Sequence, residues 1–163
     1  MRLALAEAAD AAKAAEGESR PAEAAPEEEG PDWPADVPVG AVILDEAGTV
    51  IARARNRREM DRDPTAHAEI VAIRDASARV GNYRLTGATL CVTIEPCLMC
   101  VGALTHGRIG TLVYGAAEPR SGAVVSAVRG GELPGHNHRF EVVSGIREVE
   151  CRALMLEFFR EKR

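Results

Sequence analysis

No stretch of this sequence is long and apolar enough to cross a bilayer. Its first residues, MRLALAEAADAAKAAE, place Glu7 and Asp10 where a secretory leader needs an unbroken apolar run. A soluble, cytoplasmic chain without a membrane partner is expected. Net positive charge is lacking as well: 20 Lys and Arg stand against 25 Asp and Glu, a balance that on average argues against a nucleic-acid ligand. The deficit is local. Residues 1–36 hold three basic residues against ten acidic ones, whereas residues 37–163 hold seventeen against fifteen, so a polyanionic partner for the main body stays open. Cysteine is scarce too. Four in 163 residues, two of them three positions apart, suit metal binding in a reducing compartment better than a disulfide framework. Cys91 and Cys151 read as small buried hydrophobes. Internal repeats are absent, and the length leaves room for one ordinary domain.

Residues 1–16 form an Ala-rich, helix-favouring segment, and residues 17–36 an acidic, Pro-rich loop whose composition cannot build a core. From Val37 onward the pattern changes to a single folded body, residues 37–163. VGAVILD and TVIARAR read as a hairpin turned at Glu46, Ala47 and Gly48. HAEIVAIRDASARV (67–80) predicts an amphipathic helix, entered through Asp63, Pro64 and Thr65, with Ile70, Ile73, Ala76 or Ser77, and Val80 on one face. ATLCVTI and TLVYG read as buried strands with a helix between them that starts at Pro96, and FEVVSG offers a last short strand. A terminal helix over 147–160 should present Val149, Ala153 and Leu156 on one face. This order predicts a three-layer α/β/α architecture around a central mixed sheet of about five strands.

His67 stands two residues before Glu69, and Pro96, Cys97 and Cys100 follow some thirty positions later. Cys97 and Cys100 lie at i and i+3 in the first turn of a predicted helix, so both sulfurs leave one face and can share an ion. Amides at a helix N-terminus favour the thiolate form. His67, at another helix start, supplies a third ligand. Three protein ligands leave one tetrahedral position for water, the arrangement of a catalytic zinc site rather than a closed structural one. Glu69 would face that position as general base and acid. Taken singly, each residue has a plainer use. A His at a helix start is usually a cap or surface residue, a Glu in a first turn usually complements the helix dipole, and a CxxC serves structural zinc sites and redox pairs. No second CxxC closes an all-cysteine site, and no thioredoxin-like setting surrounds this one.

The stretches VPVGAV, DPTAHAEI, NYRL, ATLCVTIEPCLMC, RIGTLVYGA, NHR and CRALMLEFFREKR resemble the bacterial tRNA adenosine deaminases of the cytidine and deoxycytidylate deaminase superfamily. The resemblance covers residues 37–163 and extends to the first helix. It implies a cytidine-deaminase-like fold, one Zn2+ per subunit, a homodimer, and conversion of the wobble adenosine of a tRNA anticodon stem-loop to inosine. It further implies that Asn56 hydrogen-bonds the target nucleoside and that Val37 and the Ala68 backbone line its pocket. Glu118, Arg120 and Asn137 would hold neighbouring nucleotides, and Phe158 or Phe159 would lie against the bound loop. Read without the resemblance, Asn56 is a turn residue after a strand, Arg120 a solvated charge, and both phenylalanines core. Arg53, Arg55, Arg57, Arg58, Arg160, Lys162 and Arg163 could supply positive surface. Two features depart from the family pattern: Glu118 replaces the usual shorter Asp, and the acidic insertion lengthens the link between the first helix and VPVGAV.

Two competing readings remain at this stage. The first is a deaminase of a free base or nucleotide, of the guanine, cytidine or dCMP type, using the same zinc chemistry. The second is a catalytically silent zinc- or RNA-binding module, which has no need for Glu69.

Overall fold

The structure, a computed structural model, describes residues 1–13 and 36–161. The expected acidic loop lies outside the described residues except for Asp36, and so do Lys162 and Arg163. In chain order the elements are α1 (Arg2–Lys13), β1 (Gly40–Leu44), β2 (Val50–Arg55), α2 (Arg58–Asp61), α3 (Ala68–Val80), β3 (Thr89–Ile94), α4 (Leu98–His106), β4 (Thr111–Ala116), β5 (Glu141–Val143) and α5 (Glu148–Glu161). A 3-10 turn at Gly130–Glu132 interrupts the long link from β4 to β5. The five strands form one sheet in the order β2-β1-β3-β4-β5. β1 pairs antiparallel with both β2 and β3, whereas β3–β4 and β4–β5 are parallel. Parallel neighbours need a crossover: α4 links β3 to β4, and the long segment carrying the 3-10 turn links β4 to β5. α1 and α5 cover one face; α3 and α4 pack together on the other. The three layers and five strands agree with the fold class read from the sequence.

Small residues set the layer spacing. Ala4, Ala8 and Ala11 form the buried stripe of α1, at i, i+4 and i+7, and all are fully buried. Beneath them sits Gly40 of β1, where an added Cβ would fall against the Ala4 carbonyl oxygen and 2.5 Å from the Ala8 nitrogen. The helix therefore rests on bare backbone. α3 does the same with Ala68, Ala72 and Ala76, which are fully buried. Of the expected face Ala76 is buried and Ile73 packs partly against the core, but Ile70 is only partly covered and Val80 is 51% exposed. The large aliphatics flank the contact instead of forming it, because methyl groups let the helix axis come closer to the sheet. In α5 the inward residues are Cys151 and Phe158, while Val149 and Leu156 of the expected face are 82% and 65% exposed. Larger side chains fill the centre. Ile43, Leu90, Leu104, Ile109 and Leu112 are completely buried, each worth roughly 1.5–3 kcal/mol of transfer free energy.

β2 lies at one edge of the sheet and alternates buried Ala52 and Ala54 with exposed Arg53. An outward arginine on an edge strand discourages pairing with another chain. Asp36, the last residue of the expected acidic loop, is fastened to the body. It is buried, and its carboxylate accepts hydrogen bonds from the Glu59 and Met60 amides at 3.2 and 3.4 Å. Asp36 thus satisfies the first turn of α2, whose own N-cap residue Arg57 makes no side-chain cap.

Candidate active site

β2, β3 and β4 run in the same direction, so the segments that leave their C-terminal ends meet at one edge of the sheet. His67 occupies the N-cap of α3 and Cys97 the N-cap of α4; neither side chain caps its helix. Both point at one another instead. Cys97 Sγ is 3.7 Å from His67 Nδ1, Cys100 Sγ is 3.6 Å from the same nitrogen, and the sulfurs are 3.7 Å apart. A tetrahedral ion with sulfurs at about 2.3 Å and an imidazole nitrogen at about 2.05 Å requires separations of about 3.8 Å between sulfurs and about 3.6 Å between sulfur and nitrogen. The triangle fits zinc, and His67, Cys97 and Cys100 are the one such donor group among the described residues. The Cys97 thiol is pushed down to about 4 by its hydrogen-bond contact with Cys100, against its burial and with help from His67. The same contact and burial push Cys100 up.

Glu69 lies in the first turn of α3, 3% exposed, with its carboxylate beside the Cys100 thiol. Burial raises its pKa. A carboxylate in this position is not placed to stabilise the surface end of a helix; it faces inward, next to the donor triangle.

Asn56 follows β2 and is also buried. Its backbone amide bonds to the Val39 carbonyl, and its side-chain oxygen accepts the Ala68 amide at 3.2 Å. Since His67 is turned toward the sulfurs, the first amide of α3 would otherwise be an orphan donor. Asn56 fills that role from twelve residues away and keeps its NH2 group as the donor left for a ligand. Val37, half-buried, is joined to the same backbone through the Val39 amide.

Glu118 and Arg120 lie in the loop after β4. The Glu118 carboxylate accepts the Arg120 backbone amide at 2.9 Å, and the Arg120 side chain is exposed. The loop is fastened to the segment that carries Cys97 by Glu95, a residue that sequence reasoning did not single out. Glu95 is 2% exposed and accepts the amides of Glu118, Val124, Val125 and Ser126, at 3.1, 3.1, 2.8 and 2.9 Å, together with the Ser126 hydroxyl. Burial would raise its pKa, but these donors outweigh it and hold the group below the ordinary carboxylate range. Its partners are 23 to 31 residues away, so spacing alone carried no signal.

The remaining expected contacts are not bonded to the donor triangle. Asn137 is exposed, and its backbone carbonyl accepts from Arg108, beyond the far end of α4. That end lies about 14 Å from Cys97 at 1.5 Å per residue. Phe158 is buried, and Phe159 is 49% exposed, with its ring edge-on to Phe158 at 5.4 Å.

The model of the cytidine and deoxycytidylate deaminase zinc-binding region matches residues 1–116. The tRNA-specific adenosine deaminase of Haemophilus influenzae is 43% identical over 128 residues, which cover 78% of this chain and 74% of the relative. That of Agrobacterium fabrum is 48% identical over 128 residues, covering 78% and 84%. Among solved structures, one from work on A-to-I editing by tRNA:A34 deaminases at the wobble position of transfer RNA superposes with a TM-score of 0.80 at 41% identity. It covers 94% of this chain and 96% of that one. Kinship of this extent agrees with the donor triangle and the sheet order: the chain belongs to the cytidine and deoxycytidylate deaminase family, beside the tRNA-specific adenosine deaminases, and is a zinc-dependent deaminase.

Proposed function

We propose that this protein hydrolyses adenosine to inosine at the wobble position of a tRNA anticodon, with His67, Cys97 and Cys100 as zinc ligands and Glu69 as proton carrier. The observation that carries the chemistry is the buried Glu69 carboxylate set beside the donor triangle. The substrate rests on the activity named for the relatives and for the superposed structure. Bound at this triangle, zinc supplies the polarisation that makes water a nucleophile near neutral pH. Glu69 takes a proton from that water and delivers it to N1 of the adenine as the oxygen adds to C6. It then passes a proton to the exocyclic nitrogen as the C6–N bond breaks. Ammonia leaves, the oxygen remains as the 6-oxo group of inosine, and one water is consumed per base. An unpaired anticodon base can enter the site without the few kcal/mol of unpairing that a duplex would require.

The same reading gives the surrounding residues their work. The Asn56 NH2 group donates to the nucleoside, Val37 and the Ala68 backbone line its pocket, and Glu118, Arg120 and Asn137 hold flanking nucleotides. Phe159 offers its exposed ring to a base, with Phe158 buried behind it. Residues 37–163 form the catalytic body with α1 packed on it. The assembly is a homodimer working in the cytoplasm. Four large apolar side chains left exposed near the site, Leu98, Met99, Val125 and Val128, favour a second copy covering them.

The test is inosine formation in an adenosine-containing anticodon stem-loop, with a cytidine-containing stem-loop and free bases and nucleosides in parallel. Inosine at the wobble position is expected, and Glu69→Gln should slow it by about 10²–10⁴-fold while zinc and RNA still bind. Turnover of a free base without any of the RNA would sink the substrate. A fully active Glu69→Gln would sink the mechanism.

A further inference from the structure

One carboxylate organises a whole loop at the active-site edge. Both Glu95 oxygens are occupied: Oε1 accepts the amides of Val124, Val125 and Ser126, and Oε2 accepts the Glu118 amide and the Ser126 hydroxyl. Successive amides turned onto one anion make a nest, with the protein's own side chain in the place a bound anion would take. The loop closes tightly on it. At Gly122 an added Cβ would lie 2.5 Å from both the Glu95 carboxylate and the Glu118 carbonyl oxygen. The adjoining backbone is fixed as well, since Cys97 pairs with Gly122 and the Ala123 amide bonds to the Pro96 carbonyl at 2.7 Å. Glu95 is therefore the joint between the segment bearing a zinc ligand and the loop bearing Glu118 and Arg120.

We infer that Glu95 is a positioning residue for substrate recognition: it holds loop 118–126 in register with Cys97, so that Glu118 and Arg120 meet the nucleotide beside the target base. The inference rests on the RNA reading given above. It explains why a residue adjacent to the zinc-ligand segment has its side chain turned away from the metal triangle and toward the loop. It also separates two functions, since the loop can loosen while the donor triangle stays whole.

The discriminating variant is Glu95→Gln. An amide group retains an acceptor for the Oε1 cluster, but its NH2 faces the Glu118 amide donor to donor, so the Glu118 end of the loop is released selectively. In the zinc-loaded full chain, hydrogen exchange of the amides in 118–126 should quicken about tenfold or more, with α3 and α4 unchanged. With the anticodon stem-loop, KM should rise about tenfold while kcat stays within about threefold and zinc remains at one per chain. Arg120→Ala alone should raise KM. Combined with Glu95→Gln it should add little, because both act through one contact. Unchanged loop exchange overturns the inference, as does loss of kcat at constant KM, which would place Glu95 in the chemistry, or loss of zinc, which would make it a support for the ligands. Strict additivity with Arg120→Ala overturns it as well. If the wild type leaves RNA untouched, the substrate reading fails and recognition by this loop fails with it, while the exchange measurement still decides whether Glu95 holds the loop.

Discussion

One pair of substitutions can pull apart the cap that Asn56 supplies to α3 and the nucleoside contact proposed for it. The Asn56 oxygen accepts the Ala68 amide at 3.2 Å, and Ala68 is fully buried, so Asn56→Ala leaves a backbone donor without water or partner. A group stranded in this way costs about 1–3 kcal/mol. For a chain of this size each kcal/mol moves the melting temperature by about 2–4 °C, so the variant should melt about 2–12 °C lower. Asn56→Asp behaves differently. It keeps an acceptor for the amide and puts negative charge at the start of α3, where the helix dipole favours it. Its melting temperature should stay close to wild type. What Asp cannot do is donate. If the Asn56 NH2 group holds the nucleoside, kcat/KM should fall about 5- to 150-fold, the equivalent of about 1–3 kcal/mol. The assays are thermal melts of zinc-loaded protein and steady-state kinetics on the anticodon stem-loop. An Asn56→Ala variant that melts with the wild type would refute the capping argument, and a fully active Asn56→Asp would remove the amide from substrate binding.

Other consequences are as direct. Cys97→Ser should lower zinc below one per chain and reduce the melting temperature together, because binding free energy at such a site is folding free energy; full zinc content measured by atomic absorption would take Cys97 out of the ligand set. When zinc is removed by a chelator at pH 8, Cys97, partly exposed and with its thiol held low, should react readily with a thiol reagent, whereas Cys100, fully buried and pushed up, should not. Nor should Cys91 and Cys151, since both are buried and burial holds their thiols above the ordinary pKa, protonated to higher pH. Further reactive thiols in the folded chain would contradict the packing described. Gly40→Ala should lift α1 from β1 and cost about 1–3 kcal/mol, visible as a lower unfolding midpoint in urea; an unchanged midpoint would mean that the helix does not rest on that backbone.

The donor triangle was legible because its residue types and spacings are distinctive. Two cysteines at i and i+3 declare a shared face before any tertiary structure is known, and a His two residues before a Glu, some thirty positions earlier, completes the pattern. The succession of strands and helices along the chain was legible too, from alternation and turn residues. Helix faces were not. Reading α3 and α5 by their largest aliphatics pointed to Val80, Val149 and Leu156, all exposed. The buried stripe of α3 is alanine, and hydrophobic periodicity weights a methyl group too lightly to show where a helix touches a sheet. Nor does the cap of α3 follow from local sequence, because its N-cap residue is turned to the donor triangle and the substitute is the residue that follows β2. Glu95 is the same lesson at longer range. A buried carboxylate is intelligible only with its donors, and these lie on a loop after the next strand.

The direction of the strands has a consequence for how such a protein can change. Chain leaves β2, β3 and β4 and enters β1 at the same edge of the sheet. At the opposite edge two of the links are short: the turn from Asp45 to Thr49 and the segment around Arg108, whose neighbours bond to Ala88 just before β3. Length and sequence can therefore be altered at one rim without disturbing the hydrogen bonds of the other. A new preference for flanking nucleotides could arise there by exchange of loops alone, with the sheet, its closing turns and the metal-binding residues inherited unaltered.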